Sequence, residues 1–352
     1  QPTVPGRKLS LTIDAAVQDQ VERVLAGLGQ TFQPKGATAI VMDPSKGEIL
    51  ALANWPAVNA NDVGSASPYA QMNRASGFTY EPGSTFKSVT IASALSEHKV
   101  TPNTMFDLPV ELQVGDKTIH DSHDRGPESL SVSGILAQSS NVGAAMIGTR
   151  LGRVGLDHWI RKFGFGTPTH SGFPGEEQGI VIPVSKYSMA TVGNESMGQG
   201  LSVTPLQMVQ AYSAIANGGL LRSPRIVRTI DGKPAAQRAA KRIITPRVAA
   251  QVRQMLRGVL ADGGTASGAE IPGFDLAGKT GTAQKVDPQT GTYSDSKYIA
   301  SFIGFAPARS PKLLAAVVVD EPTGDIYGGS VAAPAFSRIM AFALPYLGIS
   351  PH

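Results

Sequence analysis

Glu81-Pro82-Gly83-Ser84-Thr85-Phe86-Lys87 is the stretch around which the chain is organised. Pro82 and Gly83 interrupt what precedes them. Thr85 to Glu97 then reads as a helix, with Phe86, Val89, Ala92 and Leu95 on nearby turns. Ser84 stands where that helix begins, and Lys87 lies three positions further on. Residues three apart on a helix are neighbours on one face, so the Lys87 amine can reach back to the Ser84 hydroxyl. A serine hydroxyl is a poor nucleophile until its proton is removed, and an uncharged lysine can remove it. The pattern is short and occurs three times, at Ser84–Lys87, Ser96–Lys99 and Ser294–Lys297. Other parts of the chain have to give it meaning.

Composition narrows the field. The chain has 352 residues, 41% apolar and 16% charged, enough for one large domain or two ordinary ones with a proper core. Its 39 glycines and 25 prolines predict many turns. The net charge of +4 is spread along the chain, and no basic run is interleaved with aromatics, so nucleic acid is not an expected partner. The absence of cysteine excludes disulfides and thiol catalysis but fixes no compartment. No apolar run reaches the roughly eighteen residues that a membrane helix needs. The sequence opens on Gln1, without a signal peptide or initiating Met, and the expectation is a piece whose membrane anchor would lie upstream.

Outward from the Ser84 stretch, strands collect at the two ends of the chain. Residues 1–8 read as a linker. Leu9–Ile13 alternates as a strand, and Asp14 can cap the helix whose stripe is Val17, Val21, Val24, Leu25 and Leu28. Ala37–Asp43 and Glu48–Ala53 flank a hairpin signal at Pro44–Gly47. Helices are expected at about Ser131–Gln138, Val142–Leu151, Leu156–Phe163, from Thr204-Pro205 to Gly218, and from Thr245-Pro246 to about Leu260. A hairpin is expected around Gly115. Strands return at Asp275–Ala283, Tyr298–Ala306 and Leu313–Asp320, before a last helix over Val331–Leu347 bent near Pro345. This order predicts an α+β fold in which the two ends pair into one antiparallel sheet flanked by helices. The sheet lobe takes about 9–55 and 270–352, and the mostly helical lobe about 56–269.

Two further stretches carry chemistry. Ser139-Ser140-Asn141 falls at the break between two helices, where a hydroxyl and a carboxamide can point into one cleft. The alternative for these residues is an ordinary helix cap. Gly278-Lys279-Thr280-Gly281-Thr282 lies in a strand with almost no bulk, so a substrate can lie against its backbone. Lys279 and the hydroxyls of Thr280 and Thr282 can receive a carboxylate. The alternative is a weak edge strand with a solvated lysine, which accounts poorly for Gly281.

Gly273–Thr280 also fits the phosphate-loop pattern, with Asp320 as a strand-end acid for Mg²⁺. That reading is set aside on context. Gly263–Pro272 is too polar for the buried strand a phosphate loop needs, and Pro288 and Gly291 forbid the long helix after it. His120-Asp121-Ser122-His123-Asp124 lacks a third ligand at helical spacing and reads as a solvated loop rather than a metal cluster. No histidine is placed for a Ser-His-Asp triad, which leaves lysine as the candidate base.

Together these pieces resemble the penicilloyl-serine transpeptidases. Ser84-Thr-Phe-Lys87, Ser139-Ser-Asn141 and Lys279-Thr-Gly281 occur in that family's order. The stretches Gly198–Gln207, Ala277–Ala283, Tyr298–Pro307 and Tyr327–Pro334 resemble class B penicillin-binding proteins, the last two those of the cell-division type. The resemblance runs from Leu9 to the last helix. It implies a β-lactamase/transpeptidase-like fold with a five-stranded antiparallel sheet, and an anchor and non-catalytic module preceding the domain.

It also implies a serine D,D-transpeptidase that cross-links peptidoglycan stem peptides through an acyl-enzyme on Ser84, in septal wall synthesis. Lys87 would be the base. A reference lysine pKa of about 10.4 has to fall by roughly three units, with partial burial, Lys279 as a neighbouring cation and the positive helix end near Ser84 all lowering it. Ser139 would relay protons and Asn141 would hold substrate backbone. The N–H groups of Ser84 and Thr282 would form the oxyanion hole, and Lys279, Thr280, Gly281 and Thr282 would bind the terminal carboxylate. The implied ligands are a D-Ala-D-Ala donor, an amine acceptor and β-lactams; the implied partners are a polytopic glycan polymerase and division proteins. No cofactor or metal is implied. The implied location is the outer face of the bacterial cytoplasmic membrane. Three rivals use the same motifs: a serine β-lactamase, although no Glu-x-x-Leu-Asn segment follows Ser139; a D,D-carboxypeptidase; and a catalytically silent penicillin-binding sensor or scaffold.

Overall fold

A computed structural model describes residues 6–123, 125–287 and 289–351. Residues 1–5 of the expected linker, Asp124 of the His120–Asp124 run and Pro288 lie outside that description.

The centre is a five-stranded antiparallel sheet. Its strands are β1 (Gly36–Asp43), β2 (Glu48–Trp55), β3 (Ala277–Val286), β4 (Tyr293–Ala306) and β5 (Leu313–Asp320), in the spatial order β3-β4-β5-β1-β2. Every residue of β5 is buried, as a central strand covered on both faces requires. One row crosses the whole sheet: Lys279, Ile303, Ala316, Ile40 and Leu52 stand opposite one another. Residues so paired share a face. The next row, which contains Thr280 and Phe302, therefore faces the other way.

That second face is covered by α1 (Ala15–Phe32) and the C-terminal helix, whose Phe336 ring lies 4.7 Å from Phe302. Each such buried ring stabilises the layer by about 2–3 kcal/mol. The opposite layer holds α2 (Lys87–Ser96), α3 (Val132–Gln138), α4 (Asn141–Lys162), α5 (Met189–Ser196), α6 (Pro205–Ala216) and α7 (Pro246–Arg257). The C-terminal helix is α8 (Ala333–Tyr346), with Pro345 inside its last turn. All twelve residues of α6 are buried, so it is a central helix rather than an amphipathic surface one. Among the described residues, no helix is long and apolar enough to cross a membrane.

Several local expectations are met by identifiable chemistry. The Asp14 carboxylate accepts the N–H groups of Ala16 and Val17, and the hydroxyls of Thr204 and Thr245 cap α6 and α7 ahead of Pro205 and Pro246. Gly47 closes the β1–β2 hairpin at φ +72°. The two helices expected at 142–151 and 156–163 are α4, broken at Gly152, whose φ of +68° and ψ of +170° are not helical.

Other features differ from expectation. The Leu9–Leu11 strand does not join the five-stranded sheet; it pairs with Val227–Ile230. The hairpin expected around Gly115 joins Glu111–Val114 to Lys117–His120, but the pairing of Met105–Leu108 with Glu128–Ser131 around it was not expected. Helix α5 was not foreseen. It is too short for a clear periodic stripe, and its start is fixed by reciprocal bonds between Ser188 and Thr191.

Candidate active site

Ser84 sits in a 3₁₀ turn, Gly83–Phe86, rather than in the first turn of the α-helix. Residues i and i+3 eclipse on a 3₁₀ turn, which stacks Ser84 against Lys87, the first residue of α2. Gly83 opens the turn at φ +53°. The turn is braced from several sides. Thr85 Oγ1 donates to Pro82 O at 2.7 Å, and Tyr212 of α6 donates to Thr85 O at 2.8 Å. Gly83 N–H donates to Gly198 O at 3.0 Å, and Tyr80 exchanges two backbone bonds with Val203. The segment 198–203 is thus a strap stitched along the residues that precede Ser84.

Lys87 is completely buried. Its amine donates to Asn141 Oδ1 at 2.7 Å, to Ser139 Oγ at 3.3 Å and to the Ser139 carbonyl. Among the described residues it makes no hydrogen bond to Ser84 and no ion pair. Burial pushes its pKa down from 10.5 to about 7, while the charge of Asp121 acts in the opposite direction. The other two Ser-x-x-Lys pairs are different: Lys99 and Lys297 are exposed.

Ser139 and Asn141 come from the α3–α4 junction. Ser139 ends α3 in the left-handed conformation, φ 64° and ψ 35°, which turns both its carbonyl and its hydroxyl toward Lys87. Ser140 is the N-cap of α4, its Oγ accepting the Gly143 N–H at 3.0 Å. Capping and functional placement therefore coexist, on adjacent residues.

The third wall is β3, an edge strand of the sheet. Lys279 is completely buried, and among the described residues its amine makes only long contacts, 3.4 Å to each of Thr280 O and Thr280 Oγ1. No carboxylate among the described residues pairs with it. Burial and repulsion from Lys87 both hold its pKa well below the ordinary lysine range. Of the expected causes, burial is the one that lowers the Lys87 pKa, and two such buried amines disfavour each other's charge.

Thr280 and Thr282 project to the opposite face from Lys279. Thr280 Oγ1 pairs with Thr265 Oγ1 at 2.6 Å, and Thr282 Oγ1 accepts the Gly328 N–H at 3.1 Å. The glycines of this strand serve the protein's own packing. A Cβ on Gly278 would lie 2.5 Å from the Phe302 ring. One on Gly281 would lie 3.0 Å from Thr85 Cγ2 and 3.2 Å from Pro82 O. That closeness seats β3 against the Ser84 turn. Lys279 and Thr280 lie inside this strand with no helix following, which is not phosphate-loop geometry.

Ser84, Ser139, Asn141 and Thr282 are half-buried, and Ser139 and Asn141 contact the buried Lys87 amine. A hydroxyl beside an amine with a pKa near 7, facing a desolvated cation site without a counter-ion, suits nucleophilic attack on a ligand that carries a carboxylate. One participant was missed in the sequence. Asp121, read as part of a solvated loop, accepts the N–H groups of Asn141 and Val142 at the start of α4. The Asp121–Val142 spacing carries no periodic signal, and only the folded hairpin ahead of it brings the two together.

A family profile described as the penicillin binding protein transpeptidase domain matches residues 37–341. The chain belongs to this family. The class B members among its relatives include the probable peptidoglycan D,D-transpeptidase PenA of Neisseria meningitidis, 37% identical over 98% of this chain and 58% of that protein. The stage V sporulation protein D of Bacillus subtilis is 38% identical over 99% of this chain and 55% of that protein. The chain therefore spans little more than half the length of these relatives. Penicillin-binding protein 3 of Mycobacterium tuberculosis, solved in complex with aztreonam, superposes with a TM-score of 0.92 at 32% identity, over 99% of this chain and 81% of that one. The fold is the β-lactamase-like α+β fold of penicillin-binding transpeptidase domains.

Proposed function

We propose that this domain is a serine D,D-transpeptidase that cross-links peptidoglycan stem peptides. The observation that carries the reading is the fully buried Lys87 amine, titrating near neutrality, on the residue that directly follows the turn holding Ser84. Neutral Lys87 takes the Ser84 proton as Oγ attacks the carbonyl of the penultimate D-Ala. The backbone N–H groups of Ser84 and Thr282 receive the oxyanion, where one such donor is worth about 3 kcal/mol of barrier. Ser139 passes the proton to the departing terminal D-Ala, and an amine from a neighbouring stem then displaces Ser84 from the acyl-enzyme. Asn141 has one side-chain N–H committed to the His120 carbonyl at 3.1 Å, which leaves the other for substrate backbone. Lys279, at the edge of β3 with Thr280, Gly281 and Thr282, holds the terminal carboxylate, and that anion restores the charge that burial takes from Lys279.

A β-lactam offers the same carboxylate and a strained amide, so it acylates Ser84 and leaves slowly. Two relatives carry names from cell-wall and sporulation contexts, and on that likeness the domain acts outside the cytoplasmic membrane in septal wall synthesis. It is held there by an upstream anchor and works beside a polytopic glycan polymerase and division proteins. The domain itself comprises residues 9–352, with its sheet and helical lobes. The test is incubation with labelled penicillin and mapping of the adduct by mass spectrometry, with Ser84→Ala as control. A long-lived adduct on Ser84 is expected. Rapid release of hydrolysed drug would indicate a β-lactamase, and failure to turn over a D-Ala-D-Ala thioester analogue would indicate a sensor.

A further inference from the structure

We propose that Asp121 is a positioning residue of this site: its carboxylate fixes Asn141 at the start of α4 and stands as the counter-charge behind the Lys87 amine. The inference rests on the Ser84 reading above and adds to it the element that aims and charges the base.

Most contacts of the Asp121 carboxylate converge on the start of α4. Its carboxylate accepts the Asn141 N–H, the Val142 N–H at 3.1 Å and the Ser140 hydroxyl at 2.9 Å. Anionic acceptors are favoured at a helix N-terminus, where unpaired N–H groups carry partial positive charge. The neighbouring residue completes the grip, since the Asn141 side-chain N–H donates to His120 O at 3.1 Å. One dipeptide, His120-Asp121, thus holds Asn141 by its backbone and by its carboxamide. The remaining end of that carboxamide, Oδ1, receives Lys87. Any displacement of Asp121 is passed through Asn141 to the amine.

Asp121 is itself anchored. Arg125 forms an ion pair with it, and Arg125 Nη2 donates to Pro109 O at 3.2 Å. The charges that face this group are few. Arg125 and Lys87 are its cations, Glu128 lies 3.4 Å from Arg125, and on the far side Lys87 meets Lys279. Burial tends to raise the Asp121 pKa, but Arg125, the Val142 N–H, Ser140 and Lys87 together hold it below the ordinary range. It therefore stays ionised wherever Lys87 titrates. A plain helix cap would need only the backbone contacts. Its link through Asn141 to a buried amine that has no ion pair among the described residues is what sets Asp121 apart.

The two roles separate by experiment in unreacted protein. Lys87 is titrated directly by NMR of ¹³Cε-lysine-labelled protein, with Lys87→Arg to assign its signal. Asp121→Asn keeps an acceptor for the helix but loses the charge, and the Lys87 midpoint is expected to fall by about half a pH unit or more. Arg125→Met leaves the carboxylate with one cation fewer, and the midpoint is expected to rise. A folded Asp121→Asn protein with an unmoved midpoint overturns the proposal and leaves a structural cap. Should that variant not fold, an unmoved midpoint in Arg125→Met does the same. Penicillin labelling of the wild type decides the Ser84 reading separately, because the Lys87 titration requires no acylation.

Discussion

Lys87 Nζ donates to Asn141 Oδ1 at 2.7 Å, joining the helix behind Ser84 to the helix opened by Ser140. This bond aims the amine, and its other bonds, both to Ser139, cannot do so alone. Asn141→Ala removes the acceptor while leaving the backbone cap in place. Stopped-flow acylation by a chromogenic β-lactam should slow about 100-fold, the cost of a misplaced catalytic group. A rate within twofold of wild type would take Asn141 out of the site.

Acylation should also depend on pH with a definite sign. The Lys87 pKa is depressed to about 7, so the amine is protonated and inactive below that value and neutral above it. The acylation rate should climb about tenfold per pH unit from pH 5 to 6 and level off above 8. Lys87→Arg replaces the base with a group that cannot lose its proton, and should abolish the reaction at every pH. A flat profile in the wild type would exclude lysine as the base.

Much of this site is legible in the sequence because its parts are local. A proline-glycine break before Ser84 marks the turn, a Ser-Asn pair between two helices marks the second wall, and Lys279 lies in a stretch too small-sided for anything but an edge strand. The pairing of the two chain ends into one antiparallel sheet follows from their apolar runs, whereas the row from Lys279 to Leu52 is set by a register that only the fold shows. What could not be read depends on contacts between remote loops. Asp121 gains meaning only when the Lys117–His120 strand folds back on α4, and the strap at 198–203 only when it pairs with Tyr80. The Lys87 shift was legible in part, since burial and a neighbouring cation follow from the motifs but the completeness of that burial does not.

Gly281 offers a steric test. An added methyl would lie 2.4 Å from Ser301 Oγ and 3.0 Å from Thr85 Cγ2. Gly281→Ala should cost about 1–3 kcal/mol, the usual range for overpacking, and push β3 off the Ser84 turn. Calorimetry and acylation rates check both effects. Ser301→Ala in the same chain should recover part of the stability, because the shortest clash is with its hydroxyl. Acylation at the wild-type rate in Gly281→Ala would mean that the contact does not set the cleft.

Lys279 is expected to work against stability. Its amine is buried with only 3.4 Å contacts, so the folded state disfavours the charged form, whereas the unfolded chain keeps an ordinary lysine. Between the depressed folded pKa and the unfolded value near 10.5, the unfolded state binds the extra proton, and wild-type stability rises with pH. Lys279→Met should therefore be more stable at pH 7 by about 1–3 kcal/mol, with the gain shrinking toward pH 10, and should lose acylation. Denaturant midpoints at pH 6, 7, 8 and 9 measure the trend. A destabilised variant at pH 7 would show that the amine is better satisfied than its contacts indicate.

The strap along residues 80–83 and the edge strand against them make the nucleophile's surroundings a product of the finished molecule. Lys87 and Lys279 are roughly 190 residues apart in the chain, and the two halves of the sheet come from opposite ends of it. Loops of that span close late when a chain collapses. A penicillin that bonds only to the assembled pocket would therefore count native molecules during refolding, registering the last step while spectroscopic signals report the earlier ones.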